Sequence, residues 1–97
     1  MIREMVFVEV LPVNHRDFEA AVARAVEAEL STSKGFIDFS LSKGVEKSDT
    51  YSMIIHWETL EDHTVGFRGS ESYVRWRETI GSFFASAPTV DHWAPVH

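Results

Sequence analysis

A chain of 97 residues, 44% hydrophobic and 25% charged, is sized for one folded domain spanning residues 1–97. With no cysteine it excludes disulfides, thiolate catalysis and cysteine-ligated zinc, and its net charge of -6 argues against a nucleic-acid partner, whose phosphates demand clustered Lys and Arg. No apolar run approaches the roughly 20 residues that cross a bilayer, and the start, Met1 to Met5, lacks a signal-peptide pattern, so the expectation is a cytoplasmic protein without a membrane partner.

Residues 2–11 are rich in β-branched and aromatic types and run into Pro12, which cannot donate to a ladder, so they predict a first strand. Its faces, Val6/Val8/Val10 and Met5/Phe7/Leu11, are both apolar, and each needs a cover. Asn14 is an N-cap type with Asp17 three residues on, and the helix they predict carries Phe18, Val22, Val26 and Leu30 on one stripe, flanked by Ala21 and Ala25. The exit, Ser31 to Gly35, ends on a residue that accepts left-handed backbone.

Phe36–Val45 and Tyr51–Glu58 alternate with the period of strands, and the short polar link Glu46–Thr50 makes them an antiparallel pair. Thr59 then caps a short helix with Asp62 at its third position. Gly66 and Gly69 weaken that helix before Ser70 caps another, whose stripe is Tyr73, Trp76, Ile80, Phe83 and Phe84. Beyond Pro88, Thr89–Val96 reads as a last strand, apolar through Val90, Trp93 and Val96. The order β-α-β-β-α-β predicts an α+β, ferredoxin-like fold: a four-stranded antiparallel sheet with helices on one face. The apolar residues left on the other face predict a homodimer.

The stretch from Trp57 to Trp76 gathers the candidate chemistry. His63 shares a helix face with Leu60 and Phe67 close to the helix N-terminus, which repels positive charge, so a neutral imidazole there can take a substrate proton. Trp57, Phe67, Tyr73 and Trp76 can line a flat pocket for a planar phenol or quinone, although each ring singly also suits core packing. Arg68, at a glycine-flanked break, can hold a phenolate or carboxylate, or bond helix-end carbonyls. The spacing predicts a cavity between sheet and broken helical segment, with His63, Phe67 and Trp76 on its wall and Arg68 nearer its mouth. His56, His92 and His97 do not add a metal site to His63, because no His pair stands at helical i, i+4 spacing and no His-x-His lies on a strand. No glycine-rich phosphate loop supports a nucleotide cofactor, and no serine has a nucleophile-elbow context.

The pattern Trp57-x-Thr59-x-Glu61-Asp62-His63, then Phe67-Arg68-x-Ser70, Tyr73-x-x-Trp76-Arg77 and Pro88-Thr89-Val90-x-His92, resembles the antibiotic biosynthesis monooxygenase family of dimeric α+β barrels. The resemblance implies a homodimer and a cofactor-independent monooxygenase that uses dioxygen on a small aromatic phenol, quinol or anthrone, with His63 as base. It does not extend to haem, since the first strand lacks the Asn of the haem-degrading members. Two other functions suit the same residues: a non-catalytic small-molecule-binding or dimerisation module, and a polyketide cyclase or isomerase that needs no oxygen.

Overall fold

The computed structural model describes residues 1–97. β1 (Ile2–Glu9) and β3 (Thr50–Trp57) form the centre of a four-stranded antiparallel sheet, and β2 (Phe36–Lys43) and β4 (Thr89–Trp93) form its edges, in the order β2-β3-β1-β4. This is the ferredoxin-like arrangement that the element order predicts. Strand alternation turns Val6 and Val8 of β1 and Tyr51, Met53, Ile55 and Trp57 of β3 to one face, where α1 (His15–Ala25) and α2 (Glu71–Ile80) cover them. α1 contributes Phe18, Ala21, Val22 and Ala25 to this core, and α2 contributes Trp76 and Ile80.

The first strand is shorter than its apolar run. It ends at Glu9, and Pro12–Asn14 forms a 3₁₀ turn, because proline fixes a φ that suits the first residues of a helical turn. Asn14 consequently does not cap α1: its backbone is already helical and its side chain makes no capping bond. His15 fastens the junction instead, its Nε2 lying 2.8 Å from the Val10 carbonyl. After Ala25 the helix widens into a π-helical turn, Val26–Leu30, which Ser31 closes by donating its N–H to the Val26 carbonyl at 2.8 Å. Leu30 stays fully buried, as the stripe requires.

Gly35 takes a φ of 81°, and a Cβ there would also overlap the Asp62 side chain. Its carbonyl accepts the Glu58 N–H at 2.8 Å, which ties the entry to β2 to the end of β3. Both caps read in the second half are present: Thr59 Oγ1 accepts from the Asp62 N–H at 3.1 Å, and Ser70 Oγ accepts from the Tyr73 N–H at 3.2 Å. Between them Asp62–Phe67 winds as a π-helical segment, in which the Arg68 N–H reaches back five residues to the His63 carbonyl at 3.1 Å.

β4 is also shorter than read, and alternation sends its apolar residues to opposite faces. Val90 opposes Val6 and His92 opposes Glu4 on the helix side, whereas Trp93 opposes Arg3 on the outer side, 55% exposed. The outer face is crossed by the row Asp38, His56, Arg3, Trp93. Arg3 Nε donates to His56 Nε2 at 3.1 Å, so the ring must carry its proton on Nδ1, which faces Asp38 Oδ1 at 2.5 Å. Met5 and Ile54 adjoin this row on the same face, and Phe7 follows one alternation further along β1.

Candidate active site

Glu4 is the inward-facing residue of β1 one alternation before Val6, and it is only 5% exposed. A carboxyl at such a position must have its oxygens satisfied. Oε1 accepts from Trp57 Nε1–H at 2.9 Å, and Oε2 lies 3.3 Å from His63 Nε2. His63, 3% exposed, places its other nitrogen, Nδ1, 2.7 Å from Nε2 of His92. Three separate elements converge on this chain of groups: β1 supplies Glu4, the π-helical segment His63, and β4 His92. The Trp57 and His63 rings stack, with centroids 5.4 Å apart and planes 21° from parallel, which fixes the imidazole over the end of β3.

Burial pushes the Glu4 carboxyl up to about 7, against the smaller opposing pulls of the Trp57 hydrogen bond and the Arg68 charge. Burial likewise pushes His63 down to about 4, helped by Arg68 and by His92. His92 is also lowered, by burial first and Arg68 second, with Asp91 opposing. Near neutrality both imidazoles are therefore neutral and Glu4 is the group that titrates. The sequence reading expected a neutral His63 from the helix N-terminus; here desolvation is the larger cause. Titratable groups driven in opposite directions by one environment form the pattern of an acid–base site.

A cavity does lie between the sheet and the helical segments, but it holds only about 70 Å³. Glu4, His63, Phe67 and Trp76 are on its wall, together with Phe84 and Pro88. The expected break in the helix does not leave a large void, because the π-helical turn carries both His63 and Phe67 inward, where they pack against Trp57 and Trp76. Trp57 is fully buried and lines no cavity; it acts behind the site, through Glu4 and His63. Tyr73 lies outside, on an open groove of about 510 Å³ that also meets Arg77, Phe84 and Pro88. Phe84 and Pro88 thus form a wall common to cavity and groove. Arg68 is exposed and borders neither space, so it touches the site through its charge alone. Both nitrogens of His63 are engaged by Glu4 and His92, and no group of three or more His, Asp or Glu side chains is arranged to hold a metal.

The sequence reading weighed His92 only against a metal site, and it missed Glu4. The signal was present, since strand alternation extends the Val10, Val8, Val6 face back to position 4.

The protein-family model described as antibiotic biosynthesis monooxygenase matches residues 1–79. The uncharacterized protein YczJ of Bacillus subtilis strain 168 is 40% identical over 96 residues, covering 99% of this chain and all of that protein. Among solved structures, a candidate antibiotic biosynthesis monooxygenase of Bordetella bronchiseptica superimposes with a TM-score of 0.92 at 33% identity, over 99% of this chain and 97% of its own. A monooxygenase from the gene ActVA-Orf6 of Streptomyces coelicolor, in complex with nanaomycin D, has a TM-score of 0.86 at 15% identity, over 99% and 88% of the two chains. At that identity the likeness is one of fold.

Proposed function

We propose, since this chain belongs to the antibiotic biosynthesis monooxygenase family, that it is a cofactor-independent monooxygenase in which Glu4, oriented by Trp57 and His63, is the base. The substrate is a small planar phenol, quinol or anthrone. The observation that carries this reading is a buried carboxyl, held by Trp57 and beside His63, on the wall of a cavity that is otherwise aromatic and apolar, where burial pushes it up to about 7. For an anthrone-type CH₂ group the chemistry balances as follows. The Glu4 carboxylate removes one C–H proton, and the carbanion gives its electrons to dioxygen as a C–O bond forms. The peroxide takes up a proton, and the second C–H proton leaves with the O–O bond as water, which leaves a ketone. The cavity is large enough for a molecule the size of dioxygen or a water or two, whose share of liquid volume is about 30 Å³. The ring system of the substrate occupies the Tyr73–Arg77 groove and displaces the Phe84 side chain to bring its reacting carbon to Glu4. Arg68 favours the anionic intermediate by its charge.

The same reading includes a homodimer. The outer sheet face carries Met5, Ile54, Phe7 and Trp93, the last two 41% and 55% exposed, and a second copy is the simplest cover for them.

Oxygen uptake with a panel of quinols and anthrones in metal-free buffer tests the function. Turnover is expected in the parent protein, with a loss of about 100-fold or more in Glu4→Gln. Absence of uptake across the panel, or an undiminished variant, removes the assignment. The small volume of the cavity favours one other reading, a binding module whose pocket widens only around a tightly held ligand. Mass spectrometry of ligands copurifying with an inactive protein identifies that case, and product formation without oxygen identifies a cyclase or isomerase.

A further inference from the structure

We propose that Glu4, His63 and His92 form a proton relay joining the buried carboxyl to solvent at the edge of the sheet. It rests on the reading of Glu4 as the base, and it assigns His63 and His92 as positioning residues that move protons rather than contact substrate. Apart from Glu4 and His63, no side chain on the cavity wall can accept a proton, so a proton on Glu4 finds no route along that wall. A chain of close polar contacts supplies one: Glu4 Oε2 lies 3.3 Å from His63 Nε2, at ion-pair distance, and His63 Nδ1 is hydrogen-bonded to His92 Nε2 at 2.7 Å. His92 is half-buried on edge strand β4, and its Nδ1 makes no protein hydrogen bond while no unpartnered polar side-chain atom is buried, so water reaches that nitrogen.

With Glu4 protonated, a small turn of its carboxyl that closes the 3.3 Å gap lets its O–H donate to His63 Nε2, while His63 Nδ1–H donates to His92 Nε2 and His92 Nδ1–H faces water. The transfer is a shift of three protons. Glu4 gives its proton to His63 Nε2, His63 gives its Nδ1 proton to His92 Nε2, and His92 gives its Nδ1 proton to water. Glu4 is left as carboxylate, the base the reaction needs. Both rings remain neutral, each now protonated on Nε2, and the reverse shift brings a proton back from solvent. No imidazolium forms along the way, which suits two rings whose burial and whose neighbour Arg68 disfavour positive charge. The charged groups acting on the relay are Arg68 from the helical segment and Asp91 beside His92 on β4.

The test follows the Glu4 carboxyl carbon and the ring nitrogens of His63 and His92 by NMR in the labelled full chain from pH 5 to pH 9. The expected result is a change of both rings from the Nδ1–H to the Nε2–H tautomer over the interval in which Glu4 ionises, near pH 7. Rings that keep one tautomer through that interval overturn the relay. In oxygen uptake, His92→Ala should lower kcat about tenfold with KM unchanged, and imidazole in the buffer should restore it; an unimpaired variant, or one that imidazole does not rescue, also overturns it. The tautomer readout needs no substrate, so the two proposals fail separately. Coupled tautomers without oxygen uptake retain the relay and remove the oxygenase, and uptake with uncoupled tautomers does the reverse.

Discussion

Glu4 and His63 exchange the charge states that free side chains would have, with the acid protonated and the imidazole neutral, and this leaves a pH signature. Glu4 has a folded pKa raised above 4.5 to about 7, so its contribution to stability is complete below 4.5 and is lost as pH rises to 7. His63 is lowered from 6.5 to about 4, so its contribution is complete above 6.5 and is lost as pH falls to 4. From 4.5 to 6.5 the slopes oppose and cancel. Glu4→Gln removes one of them, and its stability relative to the parent should climb by about 1.4 kcal/mol per pH unit through that window. Denaturant melts at pH 4.5, 5.5 and 6.5 measure the difference, and parallel curves would refute the pairing. Trp57→Ala should cost roughly 3 to 5 kcal/mol, because it empties a fully buried site and also orphans Glu4 Oε1; an unchanged melt would contradict this. At this scale much was legible in the sequence: the inward Trp57 and His63 follow from strand alternation and from the Thr59 cap. Glu4 was obscured by its neighbours, since a run of Val6, Val8 and Val10 reads as a core face without the carboxylate that begins it. The sequence named Val90 and Trp93 together as the apolar residues of the last strand, and only the register shows that they face opposite sides of the sheet.

Among the elements, legibility followed whether a side chain or the backbone sets the boundary. Thr59 and Ser70 cap by side-chain oxygens, and the sequence names them. The turn at Pro12–Asn14 and the two π-helical segments are backbone choices, and a hydrogen bond five residues long has no residue pattern of its own. The second of those segments is what brings His63 and Phe67 into the core and shrinks the expected cavity. Gly35 is the sharpest backbone requirement, with its positive φ and its contact with Asp62. Gly35→Ala should lower stability by about 1 kcal/mol or more, read by thermal melting; no loss would mean that the turn relaxes freely. Phe84 belongs to the wall between cavity and groove, so Phe84→Ala should join them and tighten the binding of a planar fluorescent aromatic relative to the parent protein. Equal affinities would show that entry lies elsewhere.

For the molecule as a whole, the sheet has one face covered by helices and one bearing Met5, Phe7, Ile54 and Trp93 beside the Asp38, His56, Arg3 row. The dimer proposed for that face predicts a mass of two chains in sedimentation at micromolar concentration, and a shift to monomer in Ile54→Asp. A monomeric parent would refute it. The helix side holds the chemistry, and the central claim there is that Glu4 starts the transfer of one oxygen atom from dioxygen to a planar aromatic. Turnover of an anthrone under ¹⁸O₂, with the product weighed by mass spectrometry, tests it most directly. The parent protein should give a product carrying one labelled oxygen and Glu4→Gln almost none; product carrying oxygen only from water, or labelled product formed equally by the variant, would overturn the role of Glu4.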